Sequence, residues 1–117
     1  MADNLVVVRG DTPQIRIGPV TREDVNGVDQ DVDLTGASAT LTVRRNLNST
    51  TTEFTKTATF DVGNALILVD LLAANTSGMS PGLYIYDVQL TEASGRITTF
   101  PAKGYGKFKL VADVTHA

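Results

Sequence analysis

Apolar and polar residues alternate with a period of two through most of this chain, the pattern of strands with one face in a core and one in water. The cleanest run is residues 37–44, where Ala37, Ala39, Leu41 and Val43 share one face and Ser38, Thr40, Thr42 and Arg44 the other. The longest follows the Pro81-Gly82 turn. There Tyr84, Tyr86, Val88 and Leu90 point one way, while Leu83, Ile85, Asp87, Gln89 and Thr91 point the other and turn polar after Ile85. Ile15 and Ile17 alternate with Gln14 and Arg16, and Leu5-Val6-Val7-Val8 makes a short β-rich run before them. Residues 96–100 and 104–114 supply two more strands, the last with Phe108, Leu110 and Ala112 toward the core.

Two runs break the simple pattern. Residues 54–60 set Thr55, Thr57 and Thr59 against Phe54, Lys56, Ala58 and Phe60. A Lys on the apolar face keeps an edge strand from pairing with strangers, so this run is expected at a sheet edge. Residues 65–69 are apolar on both faces, with Leu66 and Leu68 opposite Ile67 and Val69.

The remaining segments read as connections. Residues 22–36 are polar and contain Asn26-Gly27 and Thr35-Gly36, and Asp33 is expected to organise its turn through its own downstream amides. Residues 92–95 suit a four-residue hairpin loop with Gly95 at positive φ. Asp70 is expected to cap one helical turn over residues 71–74, ended by Asn75 and Gly78. The Tyr84 hydroxyl is expected to bond back to that corner. The sum is all-β: an immunoglobulin-like antiparallel β-sandwich of seven to eight strands with one short helical corner. It forms a single domain over residues 1–117, with 1–4 and 115–117 as flexible ends.

Composition narrows the function classes. The chain has 117 residues, 42% hydrophobic and 20% charged, enough to bury a sizeable core. It has no Cys, which excludes disulfides, thiolate metal sites and thiol catalysis, and no Trp. The core must therefore be aliphatic with Tyr and Phe. A net charge of −3 with scattered Lys and Arg argues against a nucleic-acid partner. No basic leader precedes the short Leu5 to Val8 run, and no stretch approaches a membrane span. The expectation is a protein made in the cytoplasm without a signal peptide, with no membrane partner.

Chemical motifs are sparse. The one histidine, His116, lies next to the C-terminal residue, so His-dependent triads lack parts and no enzyme activity is expected. Asp29, Asp31 and Asp33 alternate like the start of a calcium loop, but Leu34 and Thr40 stand where that loop needs Gly and Glu. Arg9-Gly10-Asp11 spells an adhesion tripeptide, yet Gly10 also suits a bend between two strands. Lys103-Gly104-Tyr105-Gly106-Lys107 lacks the rest of a phosphate loop and its helix. No cofactor or metal is expected. Tyr84, Tyr86, Phe100 and Tyr105 would make an aromatic sugar platform only if the first two were not core residues.

Surplus apolar surface carries more weight. A two-layer sandwich buries one face of each sheet, which leaves Leu66, Leu68, Leu83 and Ile85 in need of a cover. Either the Leu71-Leu72 corner or the N-terminal run folds over them, or a protein partner does. Leu5, Val7, Leu66, Leu68, Leu83 and Ile85 are the candidate interface residues.

Five signatures come in order along the chain: Gly10-Asp11-Thr12, Asp33-Leu34-Thr35-Gly36-Ala37, Gly82-x-Tyr84-x-Tyr86-Asp87-Val88-x-Leu90, Ser94-Gly95-Arg96-Ile97-Thr98, and Gly106-Lys107-Phe108-x-Leu110 running to Asp113-Val114-Thr115. Together they resemble the small immunoglobulin-like domains of tailed-bacteriophage virion proteins, including the N-terminal domain of siphophage upper baseplate proteins. The resemblance spans about Val8 to Thr115. It implies a non-enzymatic building block that docks on other virion proteins and on copies of itself, as a homo-oligomer within the particle. With no coiled coil or receptor-binding head after the sandwich, it implies a small component of tail, baseplate, neck or capsid surface. The alternative is a module that binds a glycan or host surface through loops at one end, using Phe100 and Tyr105.

Overall fold

The computed structural model describes residues 4–48, 51–101 and 104–112. Within them the chain forms β1 (Asn4–Val8), β2 (Gln14–Ile17), β3 (Thr21–Glu23), β4 (Asp29–Asp31), β5 (Ser38–Arg44), β6 (Thr52–Thr57), β7 (Thr59–Asp61), β8 (Leu66–Asp70), the single helical turn α1 (Ala73–Thr76), β9 (Gly82–Thr91), β10 (Ile97–Phe100) and β11 (Gly106–Val111). A six-stranded sheet runs β1-β11-β9-β5-β6, with β10 pairing β9 beyond the end of β11. A three-stranded sheet runs β2-β8-β7, and β3 and β4 form a separate hairpin. The β-sandwich expected from the alternation is the fold.

Strand number and pairing differ from expectation in three places. The run 54–60 is divided: β6 belongs to the large sheet and β7 to the small one, and the chain changes sheet at Ala58, whose N–H donates to Ala39 at 2.9 Å. The polar stretch 22–36 contains the β3–β4 hairpin. β1 pairs with β11 in parallel, from Asn4↔Lys107 to Val8↔Val111, so the large sheet is mixed.

The inner face of β9 is the spine of the core. Tyr84, Tyr86, Val88 and Leu90 are all buried. Register sets Leu41 of β5 beside Val88 and Val43 beside Tyr86, and sets Phe108 of β11 beside Tyr84. The small sheet returns Ile15, Ile17, Ile67 and Val69 against them. Each such aliphatic side chain removed from water contributes roughly 1.5–3 kcal/mol. Val32 and Leu34, in the stretch read as a connection, are also buried in this core. Ala112 lies past the end of β11 and is exposed rather than core-facing.

The expected edge device is in place. β6 is the last strand of the large sheet, and its half-buried Lys56 sits on the inner side opposite Leu41. A register shift between Val43 and Arg44 further irregularises that edge. An inward charge and a bulge are both poor templates for a foreign strand.

The corner before β9 closes as a tyrosine corner. The Tyr84 hydroxyl donates to the Ser80 carbonyl at 2.6 Å, and the Arg45 guanidinium lies 5.0 Å over the Tyr84 ring. The helical turn starts at Ala73, two residues later than expected. Asp70 is still in β8, opposite Gln14, and accepts from the Gln14 amide at 3.0 Å, so it is not the cap. Asn75 reaches back instead, accepting the Leu72 N–H at 2.7 Å.

Candidate functional site

The outer face of the large sheet is where the unexplained apolar residues gather. Alternation on β9 sends Leu83 and Ile85 outward because Tyr84 and Tyr86 point in. Cross-strand register then builds two rows. One runs Val6, Lys109, Leu83; the next runs Asn4, Lys107, Ile85, Arg44. A third pairing sets Val8 beside Val111. Val6 is 67% exposed and Leu83 55%, whereas Ile85 is half-buried between its neighbours.

At the Leu83 end, the loop after β5 brings up Leu47, which is 61% exposed. Leu47, Leu83, Ile85, Tyr105, Arg45 and Lys107 line a shallow groove of about 450 Å³. Its floor is apolar and its rim cationic. Lys109 extends the cationic rim next to Leu83. On the same face, burial pushes the Asp87 carboxyl above the ordinary 3.8, and the nearby Arg44 charge only partly offsets this.

The candidate residues separate into three groups. Leu83 and Ile85 come together on this face. Leu66 and Leu68 lie on the outside of the small sheet, half-buried; Leu68 is flanked by Arg16 and Thr59 in register. Val7 is a core residue at 4% exposure, and Leu5 packs against the core from the same side of β1. Val6 and Val8 are the outward members of that strand. Three consecutive valines carry no alternation, so the facing had to come from pairing with β11. In the Leu71-Leu72 corner, one of the two expected covers, Leu71 is buried in the core and Leu72 is exposed.

Among the described residues no strand pairs with the outer edge of β1, and Asn4–Val8 holds no charge and no Pro. This contrasts with the guarded edge at β6.

At the other end of β9 stands the β3–β4 hairpin. Glu92, just past β9, holds Arg22 of β3 in a bidentate ion pair, and Val20 accepts from Val32 N–H at the hairpin base. Asp24 fixes the tip by accepting from the Asn26 and Val28 N–H groups and from the Gln30 amide. Those backbone donors hold its carboxyl below the usual range. Val25 at the tip is fully exposed.

The chemical motifs resolve into structural roles. Gly10 of the Arg9-Gly10-Asp11 tripeptide has φ +86° and donates to the buried Thr76 hydroxyl at 2.9 Å. Arg9 donates to the Met79 carbonyl, so the tripeptide is tied along the α1 corner. Asp33 accepts the Thr35 N–H at 3.0 Å and organises its turn as expected, which lowers its own pKa. Asp29 and Asp31 belong to β4 opposite Glu23 and Thr21. Among the described residues no group of three His, Asp or Glu side chains is placed to hold a metal ion. Tyr84 and Tyr86 are core, and Phe100 packs against it, so no four-ring aromatic platform forms. His116 and Lys103 lie outside the described residues, as do the ends 1–3 and 115–117.

No family model matches the chain. No curated protein matches it in sequence. Among solved structures, CopC from Methylosinus trichosporium OB3b is similar at a TM-score of 0.49 and 10% identity, over 95% of this chain and 86% of that one.

Proposed function

We propose that this protein is a non-enzymatic structural building block of a bacteriophage virion that acts by docking on copies of itself and on other virion proteins. The observation that carries this reading is the outer face at the β1, β11 and β9 end, where Val6, Val8 and Leu83 are exposed beside a β1 edge that no other described strand pairs. A sandwich whose core is already closed gains little in its own stability from apolar residues there, and exposed apolar residues gathered on one face mark interaction sites. The virion assignment is supported by the five turn-and-strand signatures, which fall in the order that the small virion domains have them.

Leu83→Asp and Val6→Asp are expected to lower the oligomeric mass in sedimentation equilibrium while leaving the melting temperature nearly unchanged. Leu68→Asp, on the small sheet, is expected to leave the mass alone. If all three variants kept the wild-type mass, docking through this face would be wrong. A tagged copy should also appear at fixed positions in electron micrographs of purified particles; its absence from them would remove the virion assignment.

A further inference from the structure

The two ends of β9 carry opposite charge. At its start is the groove with an apolar floor of Leu47, Leu83 and Ile85 and a rim of Arg45, Lys107 and Lys109. At its finish, tied through Arg22 and Glu92, is the hairpin with Glu23, Asp24, Asp29 and Asp31 exposed. Ile85 and Glu92 stand seven residues apart along extended chain, about 23 Å, and no hairpin residue lines the groove of its own chain.

The hairpin has features that its own fold does not use. Glu23 and Asp29 are directly paired across the strands, and like charges in that position destabilise a two-stranded ribbon. Among the described residues neither forms an ion pair, and the neighbouring Arg22 is engaged by Glu92. Val25 is fully exposed and Val28 is 52% exposed, at a tip otherwise made of polar residues. Three bonds to the Asp24 carboxylate keep that tip in one conformation, which lowers the ordering cost of inserting it into a partner.

We infer that the β3–β4 hairpin of one copy seats in the Leu47, Leu83, Ile85 groove of a second copy, Val25 entering the apolar floor while Glu23 and Asp29 meet Lys107, Lys109 and Arg45 on the rim. This rests on the docking reading above and names the partner surface. The contact joins unlike surfaces, so it is head-to-tail: each copy keeps a free groove and a free hairpin, and copies add into a ring or a filament. A hairpin tip buries less area than a standard interface. The association is therefore concentration-dependent, and the charged rim makes it weaken with salt.

The test uses two surface variants, Val25→Asp in the hairpin and Leu83→Asp in the groove, and sedimentation equilibrium from micromolar to millimolar protein. Wild type is expected to grow in mass with concentration and to shrink in high salt. Each variant alone is expected to be monomeric with a wild-type melting temperature. An equimolar mixture is expected to form a one-to-one dimer and stop there, because the intact hairpin of one variant fits the intact groove of the other and the remaining pair is spoiled. If Val25→Asp kept wild-type mass while Leu83→Asp lost it, the hairpin would not be the occupant and only the docking face would stand. A mixture that stayed monomeric would equally overturn the inference. If wild type were monomeric throughout, or Leu83→Asp behaved as wild type, the inference would fall together with docking through this face.

Discussion

Tyr84→Phe tests the corner that anchors β9. The substitution removes one oxygen, whose hydrogen bond to the Ser80 carbonyl spans 2.6 Å, and keeps the ring. Packing beside Phe108 and the Arg45 contact at 5.0 Å therefore persist. An intramolecular hydrogen bond is worth about 0.5–1.5 kcal/mol net, and a buried acceptor left alone would add about 1–3 kcal/mol. Ser80 is exposed, so water can take over its carbonyl and that second penalty does not apply. The expected loss is about 1 kcal/mol, or a fall of about 4 °C in melting temperature for a domain of this size. Urea unfolding should show the midpoint moving down by about 0.5–1 M with an unchanged slope. A loss below about 0.3 kcal/mol would mean that the bond does not hold the corner. A loss above about 2.5 kcal/mol would mean that the carbonyl is not rehydrated and that the corner is more enclosed than described.

Leu34→Ala, at a residue 1% exposed, is expected to cost about 3 kcal/mol in the same urea assay; a loss within about 0.5 kcal/mol would fit a surface connection instead. Asp87→Asn is expected to raise the melting temperature near pH 7. Its folded pKa lies above 3.8, so the native state holds the proton more tightly and the carboxylate destabilises the fold as pH rises through the folded value. The advantage of Asn should vanish below pH 3.8. A stability difference that did not change between acid and neutral pH would contradict the assignment.

Where a residue's facing is set by its neighbours in sequence, the pattern was sufficient. The alternation of 82–91 located the core tyrosines and, by the same parity, the outward Leu83 and Ile85. Asp33 and Gly95 announced their turns because each requirement is local: Asp33 accepts from Thr35, and Gly95 has φ +93°. Where facing is set by distant pairing, the pattern was silent. The alternation of 54–60 continues unbroken through Ala58, so nothing in it marks the change of sheet. The β3–β4 hairpin has water on both sides and hence no apolar period to read, although Asn26-Gly27 did mark its turn. The groove is half legible: Leu83 and Ile85 follow from parity, but Leu47 and Tyr105 reach it only because two loops converge on the start of β9.

The parallel pairing of β1 with β11 has a mechanical consequence. Tension applied through the chain before β1 and after β11 pulls two side-by-side strands past each other along their length. The bonds from Asn4↔Lys107 to Val8↔Val111 are then loaded together rather than opened one at a time, as they would be in a hairpin pulled from its open end. The first and last described strands thus form a shear clamp at the edge of the large sheet.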